Sequence, residues 1–340
     1  MAAKFIPRQS FPHYGSVPRS YFLGHHRAGL EKMKKMLSSI DYVIECRDFR
    51  APVTSINPMF EEALGDKSRL IVYTKRDLGA ESDAEARRNK KLMRRLDEKS
   101  TVFFTTSTMA QSTAPIIRHL KTDAYGPDKL VACRVLVVGM PNVGKSTLIN
   151  ALRNEGVKKA KAVQTGGQPG VTRKIGTPIK IVEREHGSDV YVLDTPGVFV
   201  PYVPDAERML KLALCGCVKD SVIPPTILAD YLLYHINLHD PRVYSRWSEP
   251  TNDIMPLLDS FARQSGYLAK GGVPNTDLAA LSLVQKWRAG GLGRFILDDI
   301  QAELQRRKEA VEEAGQISMA QLLKAEKAAR HEKQRRKEAS

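Results

Sequence analysis

A glycine-rich turn that ends in a lysine and a serine lies near the middle of the chain. Gly139, Gly144, Lys145 and Ser146 follow the pattern G-x-x-x-x-G-K-S. The glycines allow a tight turn whose backbone N–H groups point at phosphate oxygens. The ammonium of Lys145 can reach the β- and γ-phosphates of a nucleotide, and the hydroxyl of Ser146 can ligate Mg²⁺. The spacing therefore predicts a phosphate-binding loop.

The residues around this turn support the prediction. An apolar run at 135–138 precedes it, and Leu148, Ile149 and Leu152 follow at helical spacing. Strand, loop and helix in this order make a phosphate loop a better interpretation than a chance glycine turn. The helix that begins at Lys145 adds the positive end of its dipole. The predicted nucleotide contacts of the loop are Asn142, Val143, Gly144, Lys145, Ser146 and Thr147.

Two further segments carry groups suited to a metal ion and a γ-phosphate. Asp194 and Gly197 belong to an Asp-Thr-Pro-Gly sequence that follows an apolar run. There, Asp194 can hold Mg²⁺ through water, and the Gly197 N–H can meet the γ-phosphate. Thr172 lies in a polar, glycine-rich loop that can close on both. We expect Ser146, Thr172 and Asp194 to hold the metal, and Lys145, Thr172 and Gly197 to act on the γ-phosphate.

A second strand-like run ends in Thr74, Lys75, Arg76 and Asp77. The carboxylate of Asp77 can accept hydrogen bonds from guanine N1–H and N2–H₂, which adenine does not offer at those positions, so GTP and GDP should bind more tightly than ATP. Lys75 would lie against the base. Ser107 follows a third run and lies where a loop contacting guanine O6 is expected.

The base-recognition residues precede the phosphate loop in the chain. A parallel sheet tolerates such a reordering when the original termini lie close together. Further landmarks are Tyr21-Phe22-Leu23-Gly24-His25, Arg47-Asp48, Ala51-Pro52, Asn57-Pro58, Gly271-Gly272 and Gly293-Arg294-Phe295. With these residues the chain, from about 21 to 299, resembles the circularly permuted ribosome-assembly GTPases, most closely the mitochondrial GTPase 1 group and its bacterial relatives.

The resemblance implies an α/β fold in two parts. A circularly permuted P-loop GTPase domain, with a mostly parallel sheet and helices on both faces, would span 21–204. An all-helical domain that docks on ribosomal RNA would span 205–300. A basic, targeting-like arm at 1–20 and a charged basic tail at 301–340 would flank them. Helical spacing of apolar residues predicts helices at 206–218, 226–238, 253–265, 276–288 and 294–304.

The chain departs from the family pattern at two positions. Thr74 stands where the family usually has asparagine, so we expect a weaker guanine contact or a weaker brace on the loop. Val198 follows Asp-Thr-Pro-Gly and cannot orient water, so intrinsic hydrolysis should be slow and stimulated by the ribosome. His25 matches a histidine that is proposed to assist hydrolysis in bacterial relatives. An equally good interpretation is that His25 only caps the following helix or contacts RNA. Asn142 matches a position at which related GTPases help to bind K⁺.

Composition favours a polyanionic partner. The 340 residues carry a net charge of +15, with a pI of about 9.6, which favours nucleic acid before membrane. A basic run at 83–99 fits either RNA contact or a solvated helix face. The four cysteines have no metal-site spacing and suggest a reducing compartment.

The compartment is indicated by the first thirty residues, which contain no Asp or Glu. An acid-poor start with Arg and Ser is typical of a mitochondrial transit peptide, and a basic RNA-binding arm is the alternative. No apolar run approaches the length of a membrane span. We expect a monomer in the mitochondrial matrix, with any contact to the inner membrane peripheral.

Together these features predict a GTPase that binds GTP or GDP with Mg²⁺, and K⁺ as a further ion. It would act in assembly of the mitochondrial large ribosomal subunit and so support mitochondrial translation, with the subunit and its rRNA as partners. Two alternatives remain open at this point. One is an RNA-binding scaffold that does not hydrolyse GTP, and the other is the same activity in another compartment.

Overall fold

A computed structural model of the chain describes residues 5–12, 15, 17–18, 31, 33–64, 67, 69–106, 110–122, 132–159, 162–163, 176–183, 189–197, 203 and 205–313. The chain divides into two compact units, Met1–Asp298 and Asp299–Ser340. In the second unit residues 300–313 are helical, and the Asp299 carboxylate accepts a hydrogen bond from the Ala302 N–H at 2.9 Å.

A six-stranded sheet forms the centre of the first unit. Its strands are β1 Tyr42–Asp48, β2 Arg69–Thr74, β3 Thr101–Phe104, β4 Cys133–Gly139, β5 Ile179–Val182 and β6 Val190–Asp194. The spatial order is β3-β2-β1-β4-β6-β5, and only the β5–β6 pair is antiparallel. The central strands are apolar along most of their length because both faces of a parallel sheet are covered.

The register of the strands brings the predicted motifs to one edge of the sheet. Asp48 at the end of β1 lies opposite Thr74 at the end of β2. Cys46 lies opposite Gly139 at the end of β4, and Val137 lies opposite Asp194 at the end of β6. The base motif, the phosphate loop and the Asp-Thr-Pro-Gly segment therefore begin at the same edge, although the chain order is permuted.

Helices cover the sheet and then continue without further strands among the described residues. They are α1 Pro58–Leu64, α2 Asp83–Leu96, α3 Ala114–Thr122, α4 Lys145–Val157, α5 Ala206–Leu214, α6 Pro225–His239, α7 Ile254–Ser265 and α8 Thr276–Arg288. Side chains of Ser82, Asp205, Asp253 and Asn275 cap α2, α5, α7 and α8, as helix starts require. No helix in the described ranges has the length and apolar character needed to cross a bilayer.

The helix predicted at 294–304 is wrong in its first half. Residues 294–299 are not helical, and the helix begins at 300. Gly293, directly before this segment, has φ +82°, so no regular helix runs into it from the preceding residues. Phe295 and Leu297 are buried at alternate positions, and the Leu297 N–H donates to the Arg50 carbonyl at 2.7 Å. The apolar spacing here reflects an extended segment packed on the loop after β1.

Residues 5–12, within the predicted N-terminal arm, pack on the helical region. The guanidinium of Arg8 pairs with both carboxylate oxygens of Asp230, at 2.7 and 3.1 Å. Phe11 is buried edge-on against Tyr231, with ring centroids 5.0 Å apart. This part of the arm thus contributes apolar and ionic contacts to the first unit.

A buried ionic network lies on one face of β1 and β2. Arg47 donates to Glu45 and to Asp97, both at 2.7 Å, and the Tyr73 hydroxyl donates to Asp97 at 2.6 Å. Burial disfavours the charged form of Arg47, but Glu45, Tyr73 and Asp97 together raise its pKa. The network holds the end of α2, where Asp97 lies, against the sheet.

Candidate nucleotide-binding site

The phosphate loop has the backbone shape that its glycines were predicted to allow. Gly139 has φ +149° and Gly144 has φ +96°, both in the region that favours glycine. A Cβ at position 139 would lie 2.6 Å from the Cys46 carbonyl oxygen, and one at 144 would lie 3.3 Å from Thr74 Oγ1. The loop therefore passes too close to β1 for any larger residue at 139, and close to β2 at 144.

Lys145 begins α4 and points back into the loop. Its buried ammonium donates to the carbonyls of Gly139 at 3.2 Å and Met140 at 2.8 Å. Burial lowers the pKa of this amine, and the nearby Asp194 carboxylate partly opposes that effect. A polyanionic phosphate group would favour the charged form strongly. The position suits a lysine that meets the phosphates of a nucleotide.

Ser146 and Asp194 meet where a metal ion was predicted. The Ser146 hydroxyl donates to Asp194 Oδ2 at 3.1 Å, and the Asp194 side chain is buried. Hydroxyl and carboxylate oxygens are the ligands that Mg²⁺ prefers. Among the described residues no three His, Cys, Asp or Glu side chains cluster as a metal site. The residues present fit a magnesium ion that takes its other ligands from water and phosphate oxygens.

The Asp-Thr-Pro-Gly segment lies directly against the phosphate loop. The Thr195 hydroxyl donates to the Val137 carbonyl at 2.6 Å, which ties the segment to β4. A Cβ at Gly197 would lie 2.6 Å from the Pro141 Cα and 3.1 Å from the Lys145 ammonium nitrogen. Gly197 is thus within reach of the position that a γ-phosphate on Lys145 would occupy.

The base motif is bonded to the same loop. The Thr74 hydroxyl, buried, makes a short hydrogen bond to the Val143 carbonyl and lies 3.2 Å from the Arg47 carbonyl. Lys75 has a left-handed backbone, and its ammonium donates to the Asn142 carbonyl at 2.6 Å. The Thr74 hydroxyl on β2 therefore reaches the phosphate loop and braces it. That this brace, or the guanine contact, is weaker than asparagine would give stays a prediction.

The remaining predicted residues are only partly described. Arg76 and Asp77 lie in a short 3₁₀ turn after Lys75, half-buried, and the Arg76 N–H donates to the Thr105 carbonyl at 3.1 Å. Thr147 is exposed in the first turn of α4. Four predicted positions lie outside the described residues: His25, Ser107, Thr172 and Val198.

Asp48 and Arg50 form a buried pair beside the nucleotide loops, and the sequence motifs assign no role to either residue. Asp48 Oδ1 accepts from the Arg50 N–H and Nε at 3.0 Å, and Oδ2 accepts from Arg50 Nη2 and Lys75 Nζ, both at 2.8 Å. Burial alone would raise the pKa of Asp48, but the charges of Arg50 and Lys75 hold it well below its usual range. The signal in the sequence was an acidic residue ending a buried strand at the motif-bearing edge.

The same loops contact the helical region directly. The Asn142 side-chain amide donates to the Gly216 carbonyl, just after α5, at 2.9 Å. The Arg50 guanidinium lies over the Trp287 ring of α8, 4.9 Å from its centroid. Asp298 accepts hydrogen bonds from the backbone N–H groups of Val53 and Thr54 at 2.9 and 2.8 Å. Movement of the phosphate loop would therefore act on the end of α5, and movement of the loop after β1 would act on α8.

The cysteines near the site are neutral thiols. All four cysteines are free and buried. Burial raises the pKa of Cys46 to about 12 and that of Cys217 to about 11, against the opposing charge of nearby lysines. They contribute apolar packing beside Lys145 and Lys75 at neutral pH.

We expect Thr74→Val to weaken nucleotide binding. The change keeps the side-chain shape but leaves the buried Val143 carbonyl without its partner, at a cost of about 1–3 kcal/mol. Nucleotide binding must then restore the order of the loop, so affinity should fall by up to roughly 5- to 150-fold. Thr74→Ser, which keeps the hydroxyl, is the matched control. Titration with a fluorescent GDP analogue measures both, and equal affinity for the Val and Ser variants would show that the brace does not matter.

Known GTPases are similar to this chain. A family described as "50S ribosome-binding GTPase" matches residues 134–241. The chain is 37% identical to "Mitochondrial GTPase 1" of Schizosaccharomyces pombe, over 87% of this chain and 94% of that one. It is 35% identical to "Mitochondrial ribosome-associated GTPase 1" of Bos taurus, over 86% of this chain and 92% of that one.

Solved structures share the fold. The GNP-bound YlqF structure from T. maritima aligns with a TM-score of 0.51 over 79% of this chain and 97% of that one, at 23% identity. A GDP-bound YlqF structure gives the same TM-score. The swapped order of motifs, the phosphate loop and identities above 30% over most of both chains show that this GTPase belongs to the mitochondrial GTPase 1 family of circularly permuted GTPases.

Proposed function

We propose that this GTPase acts as an assembly factor for the large ribosomal subunit of mitochondria. The observation that carries the proposal is the direct bonding of the nucleotide loops to the helical region, through Asn142 with Gly216 and Arg50 with Trp287. Because these contacts join two parts of one unit, a change in the nucleotide can alter the surface offered by the helices. The names of relatives, which include "ribosome-associated" and "mitochondrial", support the partner and the compartment.

The residues of the site have separate tasks in hydrolysis. Lys145 and the Gly197 N–H would stabilise charge on the γ-phosphate, and Asp77 with Ser107 would select guanine. Ser146, Thr172 and Asp194 would hold Mg²⁺, which when bound neutralises phosphate charge. Thr74, Lys75, Asn142 and Val143 keep the base motif and the phosphate loop in register. Guanine selection and phosphate binding then depend on each other, because hydrogen bonds join the base motif to the phosphate loop.

The proposal also concerns the rate of GTP hydrolysis and the ions that affect it. Val198 offers no group to orient water, so intrinsic hydrolysis would be slow and the ribosome would stimulate it. His25 is the residue proposed to assist. K⁺ is proposed as an additional ion beside Asn142, whose side chain carries the amide oxygen that such a site uses. Comparing hydrolysis in K⁺ with hydrolysis in Na⁺ tests that ion.

The proposed location is the mitochondrial matrix, with any membrane contact peripheral and made through basic surface. The acid-poor first thirty residues support import. We propose a monomer, since both sides of the nucleotide site come from one chain. Fusing the first thirty residues to a reporter and locating the reporter in cells tests whether these residues direct import into mitochondria.

We expect the protein to sediment with large subunits when bound to a non-hydrolysable GTP analogue and to be released with GDP. Coupling of this kind is typically about 5- to 150-fold in affinity. The measurement is sedimentation of tagged protein with purified mitochondrial ribosomal subunits. Small subunits serve as the control, and equal binding in both nucleotide states would contradict a nucleotide-dependent role.

A further inference from the structure

The positive charge of the chain is not carried by the helical region. Residues 205–298 contain ten Lys and Arg and ten Asp and Glu, whereas residues 31–204 contain 29 and 20. Within 205–298, several cations already have partners inside the protein, namely carbonyl oxygens for Arg208 and carboxylates for Lys211, Arg242, Arg263 and Arg288. The region predicted to dock on rRNA thus carries no net charge, and the excess positive charge that would attract a polyanion lies in other parts of the chain.

Helix α2 offers positive charge because its acidic residues lie in its first turn or point inward at its end. Asp83 and Glu85 lie in the first turn, where they suit the helix dipole. Asp97 points inward, where Arg47 and the Tyr73 hydroxyl hold it at 2.7 and 2.6 Å. Of the acidic residues from 86 to 99, only Glu98 remains exposed. From its second turn onward the outer face of α2 is therefore positive.

The cations of α2 and of the turn that follows it form two adjacent stripes. Arg88, Lys91, Arg95 and Lys99 recur at i, i+3, i+7 and i+11, and all are exposed. Arg87, Lys90 and Arg94 form the second stripe. With a rise of 1.5 Å per residue, the helical part of the first stripe, from Arg88 to Arg95, spans about 10 Å, and Lys99 lies in the turn beyond it. The stripe is long enough to meet more than one backbone phosphate.

These cations lack carboxylate partners. In the part of the chain that the structure describes, none of the seven takes part in an ion pair. Lys90 and Arg94 instead lie over the Phe104 ring, at 5.7 and 5.4 Å from its centroid. Burial and then the charges of Arg76, Arg94 and Arg87 lower the pKa of Lys90, and the carboxylate of Asp83 partly opposes them. Such mutual repulsion is relieved when an anion binds.

We propose that this α2 basic face, residues Arg87, Arg88, Lys90, Lys91, Arg94, Arg95 and Lys99, docks the sugar–phosphate backbone of RNA. The proposal rests on the proposed function, which makes that RNA ribosomal. Evenly spaced cations with no exposed large apolar side chain among them fit phosphates better than a protein surface. Arg76 of the base motif adjoins the face, so bound RNA would lie beside the guanine end of the nucleotide site.

The triple variant Arg88→Ala/Lys91→Ala/Arg95→Ala tests the proposal. The probe is purified mitochondrial large-subunit rRNA in a filter-binding assay at salt concentrations from about 50 to 200 mM. Each lost phosphate contact lowers the slope of log K against log salt by about 0.7–0.9, so the slope should fall by about 2, with a loss of affinity of about 10- to 100-fold. The control, Lys219→Ala/Arg242→Ala/Lys270→Ala, removes the same charge from the helical region and should bind almost as the wild type does.

The outcomes separate this proposal from the function it rests on. GDP affinity reports whether the triple variant is folded, and Arg88→Lys/Arg95→Lys, which keeps the charge, should retain RNA binding. If the control variant loses as much affinity for rRNA as the α2 variant does, the proposal is overturned. Normal rRNA binding with loss of subunit binding would also overturn it, because the face would then contact a ribosomal protein. If the triple variant loses RNA binding but still sediments with large subunits in a nucleotide-dependent way, the α2 basic face binds RNA but is not the surface that binds the ribosome.

Discussion

Replacing Lys145 with alanine is expected to lower the rate of GTP hydrolysis by about 10³- to 10⁵-fold, taking the effect of other single cations at a γ-phosphate as the scale. The structure gives the reason. The ammonium is buried between the carbonyls of Gly139 and Met140, and it is 3.1 Å from where a Gly197 Cβ would lie. No other described cation occupies that end of the loop, since Lys75 is bonded to Asp48. Phosphate release under single-turnover conditions measures the change.

Lys158→Ala is the matched control for this variant. Lys158 caps the other end of α4, is largely exposed, and pairs with Glu155 at 3.6 Å. It should leave both turnover and GDP affinity within about twofold of the wild type, as expected for an exposed pair. If ribosome assembly proceeds normally with Lys145→Ala, the protein acts as a scaffold and hydrolysis is not required. If turnover is unchanged, the phosphate loop has been assigned wrongly.

The parts of the site that lie in short, contiguous motifs could be predicted from sequence. The phosphate loop needs two glycines, a lysine and a serine at fixed spacing, and the local physics of the turn is the same wherever the sheet lies. The permuted order could also be read, because each motif follows an apolar run that pairs in a parallel sheet. The fold class and the meeting of Thr74 with the phosphate loop both follow from that register.

What could not be predicted depends on contacts between distant segments. The pairing of Asn142 with Gly216 joins positions 74 residues apart, and no local pattern signals it. Asp97 lies in a basic run and would be counted as a neutralising charge there, but tertiary packing turns it toward Arg47. The segment 294–299 has apolar residues that fit a helix, yet its backbone bonds to the Arg50 loop. In each case tertiary structure overrides the local pattern.

Asp48→Asn is expected to destabilise the protein by about 3–5 kcal/mol, because it leaves the charge of Arg50 buried without its partner. Asp48 is completely buried and accepts three hydrogen bonds from Arg50 and one from Lys75. An amide offers a single acceptor oxygen and no charge, so these bonds cannot all be kept. Asp41→Asn is the control. Asp41 lies exposed just before β1, where its carboxylate accepts one hydrogen bond from the Arg134 N–H, so this change should lower the free energy of unfolding only slightly.

The pH dependence of stability distinguishes the charge of Asp48 from its shape. Its pKa lies well below the ordinary value in the folded protein because of Arg50 and Lys75, against the effect of burial. A carboxyl of this kind stabilises the fold above its unfolded pKa of about 3.9, and the contribution is lost as the pH falls below that value. Asp48→Asn should therefore unfold earlier in urea at neutral pH and approach the wild type as the pH falls below about 4. A constant difference between the two proteins at every pH would mean that lost packing, and not lost charge, destabilises the variant.

The same variant tests whether the buried pair positions the nucleotide loops. Lys75 Nζ joins Asp48 to the Asn142 carbonyl, so loss of the carboxylate releases the lysine from one of its two partners. We expect weaker GDP binding by Asp48→Asn even at temperatures where the variant is fully folded. The double variant Asp48→Leu/Arg50→Met removes both charges, and buried pairs replaced in this way regain stability. If it recovers stability but not GDP affinity, the pair holds Lys75 for the nucleotide; if both recover together, its role is confined to folding.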